Sequence, residues 1–315
     1  MKTAICFLLF LSNAVYAYQD DELAKLWSSI VDVTHPSLEE YKNIEKYLKD
    51  GERNYLAPIA HHNRMPLIRR FQLVGPNNEM PIFETHHCKI KEKTKQRCVL
   101  IFGSYNGIYP NKARRLLSDL NKCGYSGDVL IRIGGFPNLP NHGLKLCHVP
   151  YAFKVAFLKE AQLLGYKEVL WLDTAMHPLT NLEEVFSSIK EKGYFFTEVG
   201  VLSSNHNTHL PGAAASLNIP LSLYDQIPHI SSSMIGLNME NPLSVQLMED
   251  WLKEAENVSS FMTCWPEELS LSVIAWRLNY KAYSEYGNCV CGEDELQQLS
   301  LILHRPLLFY IDTLR

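Results

Sequence analysis

The chain has 315 residues, 46% of them hydrophobic and 20% charged, which is ordinary globular composition and enough for one large α/β domain with an appendage. Its formal net charge is −4, and Lys and Arg are scattered rather than striped, so no basic face is expected and nucleic acid is excluded as an expected partner. Nothing in these totals points to disorder.

The chain opens on Met1-Lys2-Thr3, an apolar run from Ala4 to Leu11 that continues less strictly to Val15, and Val15-Tyr16-Ala17 before polar Tyr18-Gln19-Asp20-Asp21. A lone cation, a short apolar stretch and small residues at the −3 and −1 positions predict a signal peptide over 1–17, cleaved after Ala17. The run is shorter than the roughly 20 apolar residues that span a bilayer. No second segment of spanning length follows, so the expected mature chain is soluble and lies in the secretory pathway lumen or outside the cell. Cys6 falls in the leader, leaving Cys88, Cys98, Cys123, Cys147, Cys264, Cys289 and Cys291, an odd number that predicts at least one unpaired thiol or a bond to a partner. Cys289-Val290-Cys291 is too tightly spaced for a CxxC redox or zinc half-site.

A first helix is predicted from about Asp21 to Val31, with Leu23, Leu26, Trp27 and Ile30 on one face. A second follows Thr34-His35-Pro36, where Ser37 and Glu40 have capping-box spacing, Tyr41, Ile44, Tyr47 and Leu48 share a face, and Gly51 marks the stop. From Glu52 to Lys95 a mixture of Pro, Asn and His, with a basic run at Lys89 to Arg97, reads as a connector or irregular cover. The expected division is therefore a helical extension and connector over 18–95 and the main domain over 96–315.

Regular alternation begins at Cys98. The run Val99-Leu100-Ile101-Phe102 is a short buried strand, followed by the loop Gly103-Ser104-Tyr105-Asn106-Gly107 and a helix over Asn111 to Asn121. Asp128 to Ile133 is the next strand, ending in Gly134-Gly135. A loop rich in Pro, Asn and Gly follows from Phe136 to Gly143, then a short strand at Leu144-Lys145-Leu146. A helix over Tyr151 to Leu164, a strand over Glu168 to Leu172, a helix carrying Leu182, Val185, Phe186 and Ile189, and Tyr194-Phe195-Phe196 continue the series. Such alternation predicts an α/β fold with a mainly parallel sheet flanked by helices. In such sheets a ligand sits beyond the carboxyl ends of the strands, which singles out Gly103 to Asn106, Arg132 to Phe136 and Asp173 to His177. No GxGxxG or GxxxxGK[ST] is present, so neither a dinucleotide fingerprint nor a P-loop is expected.

Asp173 directly follows a fully apolar strand, which puts its carboxylate at the rim of the sheet. There it could hold a divalent cation against a diphosphate, or instead cap a turn at Thr174 to His177. The segment from Val149 through Lys154 and Gly165 to Leu179, with Trp171-Leu172-Asp173 at its centre, resembles the central segment of nucleotide-diphospho-sugar transferases of the GT-A fold. Ile227 to Asn238 is similar to their second central strand, Pro266-Glu267-Glu268-Leu269-Ser270-Leu271-Ser272 to the start of their "D-Q" helix, and Leu303-His304-Arg305 to a terminal histidine segment. These matches span about Cys98 to Arg305 in the expected order.

The resemblance implies a Rossmann-like GT-A domain and a glycosyltransferase that takes a sugar from a nucleotide-sugar donor to a glycan, protein or lipid acceptor. It implies that Lys154 binds donor phosphate or sugar, that Ser104 and Tyr105 lie beside the base, and that Asp173 touches the metal or ribose. Glu267 and Glu268 would stand near the acceptor or the transferred sugar, and one of them could be the base if the reaction inverts, whereas a retaining reaction needs none. His304, with Asp173, would hold a divalent cation, Mn or Mg. Two departures are visible: Asp173-Thr174-Ala175 lacks the second carboxylate of DxD, and Glu replaces both Asp and Gln at the helix start. Simpler readings stand beside these: a solvated Lys154, first-turn acids favoured by the helix dipole, and a structural His304. His177, His206, His209 and His229 are read as loop residues near the cleft without HExxH spacing, which disfavours a zinc hydrolase. The incomplete motif also fits a catalytically inactive secreted binding protein that keeps the fold. A secreted hydrolase would need paired carboxylates at the cleft or a GxSxG elbow, and the sequence displays neither.

Overall fold

The structure, a computed structural model, describes residues 36–52, 56–59, 62–66, 72–88, 95–137, 139, 144, 146–147, 149, 151–204, 211–261, 263, 265–281, 284–285, 289–292 and 307–312. The leader, the first predicted helix, His206, His209 and His304 lie outside these residues.

Helix α1 (Leu38–Glu52) begins with the reciprocal cap its sequence predicts. The Ser37 N–H donates to Glu40 Oε2 at 2.6 Å, and the Glu40 N–H donates to Ser37 Oγ at 3.3 Å. The helix runs past Gly51, the predicted stop, and buries Tyr41 and Ile44 in the main core. Strands β1 (Leu56–Ile59) and β2 (His62–Pro66) pair as an antiparallel ribbon.

The main sheet contains β3 (Ile82–His87), β4 (Arg97–Gly103), β5 (Asp128–Ile133), β6 (Glu168–Leu172), β8 (Tyr194–Val201), β9 (Pro228–Asn238) and β10 (Ser284–Glu285), in the order β10-β8-β9-β6-β4-β5-β3. Among these described strands β4, β5, β6, β8 and β10 run one way, and β3 and β9 run against them. Helices flank both faces, so the fold is α/β with a mainly parallel sheet. The central strands read as unbroken apolar runs because both faces are covered. Along β4, Cys98, Leu100 and Phe102 join one core cluster while Val99 and Ile101 join the other. The first cluster includes residues of α1, α3 (Phe153–Leu163) and α6 (Pro242–Glu256); the second includes residues of α2 (Tyr109–Cys123) and α4 (Glu183–Lys192). A smaller cluster joins α5 (Pro211–Ser216) to α7 (Pro266–Arg277) through Ala213, Leu217, Leu269 and Val273. Three short strands, β7 (Met176–Pro178), β11 (Val290–Gly292) and β12 (Phe309–Ile311), form a separate sheet in the order β11-β12-β7. No helix among the described residues is long and apolar enough to cross a membrane.

Several local expectations are corrected. Ile82–His87, read as part of an irregular connector, is an edge strand antiparallel to β5. The strand expected at Leu144 to Leu146 is absent: both leucines are buried in successive turns, closed by Cys147 N–H to Leu144 O at 2.9 Å and Val149 N–H to Leu146 O at 3.0 Å. The helix predicted from Tyr151 starts at Phe153, because Tyr151 has a φ of 61°. His177 lies on β7 and His229 on β9, not in loops.

Gly134 follows β5 at a φ of 70°, and an added Cβ would stand 2.2 Å from the Tyr105 ring. Left-handed backbone costs a non-glycine residue about 1–2 kcal/mol before any clash. Gly134→Ala is therefore expected to lower the unfolding free energy measured by urea titration by at least that much; an unchanged value would contradict both the left-handed backbone and the close approach of Tyr105.

Candidate functional site

Beyond the carboxyl end of β6 lies a cleft of about 900 Å³. Phe102, Ser104, Asn106, Tyr109 and Lys112 line it from β4 and α2; His229, Ser231, Ser232, Ser233, Glu267 and Glu268 line it from β9 and α7. Trp171 and Asp173 stand between them, as the sheet order requires, since β6 separates β4 from β9.

The cleft is organised around one buried ammonium. Lys154 sits in the first turn of α3, a helix buried between the sheet and α6, and it is 1% exposed. A cation so far from water is tolerated only when paired and fully hydrogen-bonded. Its Nζ lies 3.1 Å from Asp173 Oδ1, 3.1 Å from Glu267 Oε1, 2.8 Å from Ser232 Oγ and 3.0 Å from Ser232 O. The rings of Tyr151 and Trp171 face it at 5.5 and 5.7 Å. The solvated alternative for Lys154 is thereby corrected, since three acceptor residues surround its three N–H groups. Burial works to lower its pKa, but Asp173, Glu267 and Glu268 outweigh burial and raise it, keeping the charge.

The partners meet here because β9 carries a bulge. Its register against β8 jumps from Phe196↔Ile235 to Thr197↔Ser231, leaving Ser232 to Met234 without partners on β8. A bulge releases main-chain groups from the ladder and re-aims them. The Ser232 carbonyl accepts from Lys154, and the Ser232 N–H donates to Glu268 Oε1 at 2.9 Å. On the other side Ser233 O accepts from the Asp173 N–H at 2.9 Å, tying the bulge to the end of β6. The Ser232 hydroxyl stands 2.8 Å from Glu267 Oε1 and 3.1 Å from Glu268 Oε1, within donating reach of both. Glu268 Oε2 meets His229 Nε2 at 3.0 Å, and Asp173 Oδ1 accepts from Trp171 Nε1 at 3.0 Å.

Asp173, Glu267 and Glu268 thus converge on one cleft, which corrects the expectation that no paired carboxylates occur there. Their environments separate them. The Asp173 side chain is 35% exposed, that of Glu268 16% and that of Glu267 2%, so a ligand reaches the first two before the third. Burial raises the Glu267 pKa against the pull of Lys154, and its Oε2 has no hydrogen-bond partner among the described residues. Burial would raise Glu268 too, but the bond to His229, its charge and the Ser232 N–H bring Glu268 below the ordinary carboxylate value. The two neighbouring acids are thus driven apart, Glu267 upward by burial and Glu268 downward by His229 and the Ser232 N–H.

The raised Glu267 value has a stability consequence. A carboxyl whose folded pKa lies above its unfolded value of 4.5 stabilises the fold below that pH, and the contribution is lost as pH rises through the folded pKa. Glu267→Gln keeps the neutral form, so its melting temperature is expected to gain on the wild type as pH rises above 4.5. Calorimetric melting across a pH series checks this; a difference that does not change with pH would contradict it.

The loop after Asp173 is fixed from below. Arg115 donates to Thr174 O and, at 3.2 Å, to Met176 O. His177 is held between Asp119 at 3.1 Å and Asp312 at 2.9 Å, and its ring stacks on Tyr310 at 4.0 Å. Burial and Arg115 keep the His177 pKa low against those two carboxylates. His177 is a clamp for the strand β12.

Of the residues singled out from sequence, the structure brings Ser104, Lys154, Asp173, Glu267 and Glu268 to the cleft. Tyr105 does not line it, as its hydroxyl donates to Met80 O at 2.7 Å on the far side of the loop. The Arg132 to Phe136 loop also stays out, with Arg132 paired to Glu160 at 2.7 Å in the interior. Lys112, Tyr109, His229 and the serines of β9 were not singled out as site residues. The one available signal was Ser231-Ser232-Ser233 interrupting an otherwise apolar strand. As for a divalent cation, among the described residues no group of three His, Cys, Asp or Glu side chains is placed to hold one. Asp173 already shares its carboxylate with Lys154 and Trp171, and His304 lies outside the described residues. The described donors therefore do not fit a cation site.

No protein-family model matches the chain, and no curated protein matches it. Among solved structures it is similar to mouse xyloside xylosyltransferase 1, at 12% identity and a TM-score of 0.40, covering 69% of this chain and 97% of that one. It is also similar to galactosyltransferase LgtC in complex with donor and acceptor sugar analogues, at 7% identity and a TM-score of 0.36, covering 69% of this chain and 87% of that one.

Proposed function

We propose that this chain is a glycosyltransferase that takes a sugar from a nucleotide-diphospho-sugar donor. The observation that carries the reading is the two-sided chemistry of the cleft. One wall holds carboxylates, which accept hydrogen bonds from sugar hydroxyls. The other is the start of α2, whose first turn has no acid and whose N-cap residue Ile108 makes no side-chain cap, with the Tyr109 N–H given to Asn106 O at 3.1 Å and Lys112, 3.3 Å from Asp312, lining the cleft beside it. An acid-free helix start with a lysine favours phosphate oxygens. A ligand that is a polyol at one end and a phosphate ester at the other fits both walls. The ordered resemblance of Val149 to Leu179, Ile227 to Asn238 and Pro266 to Ser272 to GT-A transferases agrees with this choice.

In this reading the diphosphate lies along Ser104, Asn106 and Lys112, and the sugar hydroxyls meet Asp173 and Glu268. Lys154 has its hydrogens committed and acts by holding the carboxylates in register. The anomeric carbon exchanges its bond to the diphosphate oxygen for one to the acceptor oxygen, and Glu268, backed by His229, takes the hydroxyl proton. The leaving diphosphate is stabilised by the charge of Lys112 at the acid-free start of α2. The cation implied by the resemblance enters no step, because its described ligands do not form a set.

The test is turnover. The protein is incubated with UDP-, GDP- and CMP-sugars and a set of glycoside acceptors, and the released nucleotide is measured. Release of nucleoside diphosphate from a UDP- or GDP-sugar is expected. Donor binding without release would instead support an inactive binding protein that keeps the fold, and neither binding nor release would overturn the proposal.

A further inference from the structure

Among the described residues, two large apolar side chains that line the cleft are exposed, Val199 at 39% and Trp265 at 43%; Phe102, Phe153 and Trp171 are buried. Trp265 is the N-cap residue of α7, with φ 46° and ψ 56°. A bulky side chain in the left-handed region is an outlier that persists only where its surroundings hold it. Here they do: the Trp265 carbonyl accepts from the N–H groups of Glu268 at 3.1 Å and Leu269 at 3.2 Å, fixing the residue to the first turn of α7. The strained backbone aims an indole at solvent on the rim of a polar cleft, where burial gains nothing for it. Two and three residues on, Glu267 and Glu268 turn into the same cleft.

We infer that Trp265 is the stacking platform for a pyranose ring of the acceptor, which makes the acceptor a carbohydrate; this rests on the transferase reading above. A pyranose presents a face of C–H bonds, which matches the electron-rich face of an indole, while its hydroxyls point outward to acceptors. Trp265 beside Glu268 offers both, and α7 stands on the β9 side of Asp173, opposite the wall of β4 and α2 assigned to the diphosphate. A platform on that side serves the acceptor and leaves the nucleotide to the other wall.

The experiment measures two affinities by titration calorimetry on the wild type, Trp265→Ala and Trp265→Phe, with melting curves confirming that each is folded. One titrant is the nucleotide-sugar donor that the wild type turns over; the others are methyl and p-nitrophenyl glycosides. The expected result is that Trp265→Ala binds the donor as the wild type does but loses about tenfold in affinity for a glycoside, with Trp265→Phe recovering most of it. Loss of donor affinity in Trp265→Ala, unchanged glycoside affinity, or no glycoside binding by the wild type would overturn the inference. Failure of the functional reading is separately visible, because the wild type would then bind no donor while any glycoside affinity and its dependence on Trp265 remained measurable.

Discussion

Lys154→Met is expected to destabilise the fold by about 3–5 kcal/mol, the cost of removing one partner from a buried charge pair and leaving the other uncompensated. The side chain is 1% exposed, and its removal leaves Glu267, itself 2% exposed, facing the Asp173 carboxylate and the Ser232 carbonyl with no cation between them. Lys154→Arg is expected to fail as well, because a planar guanidinium does not fit where one tetrahedral ammonium meets three partners. Combining Lys154→Met with Glu267→Gln removes a negative charge along with the positive one, so part of the lost stability returns. Urea unfolding of the three variants checks this. A loss under about 1 kcal/mol for Lys154→Met would mean that the ammonium does not organise the site, the range seen for exposed pairs.

Asp173→Ala should show the opposite balance, small in stability and large in activity. The carboxylate is the most exposed of the three acids, and its removal leaves Lys154 still bonded to Glu267 and Ser232. The stability cost is expected near 1 kcal/mol, mostly from the Trp171 N–H and Lys154 each losing one acceptor. Turnover, however, should fall by about 100-fold or more, the scale on which a single preorganised electrostatic contact acts in a cleft. A variant that turns over within threefold of the wild type would remove Asp173 from the site. The contrast between Lys154 and Asp173 separates a group that builds the cleft from one that the proposed function sets against the ligand.

The frame of this site was legible because it rests on local pattern. The runs Val99-Leu100-Ile101-Phe102 and Val169-Leu170-Trp171-Leu172 are apolar on both faces, and helices of the expected phase follow them, so the carboxyl-end cleft and Asp173 could be placed from periodicity alone. Lys154, Glu267 and Glu268 were found through resemblance, and the structure supplies what the resemblance could not, the common partner Ser232. The rest depends on contacts distant in sequence. Strand β3 reads Ile-Phe-Glu-Thr-His-His, half-buried and half-exposed in alternation, and six residues of that kind are a strand only because β5 lies beside them. The bulge at Ser232 to Met234 is a property of register between β8 and β9, with no local signature beyond its serines. Tyr151 and Trp265 adopt positive φ just before the helices that follow them, which no propensity encodes. The clamp of His177 joins residues 58 and 135 positions away in the chain.

The most direct test of the account is a thermal-shift titration of the wild type and Asp173→Ala with UDP-, GDP- and CMP-sugars, each with and without Mn²⁺. A ligand that binds only the folded state raises the melting temperature, with a stabilisation that grows as the logarithm of its concentration over its Kd. A rise with a nucleotide-diphospho-sugar is expected in the wild type and none in Asp173→Ala. No rise with any donor in a folded sample, or the same rise in both proteins, would contradict it.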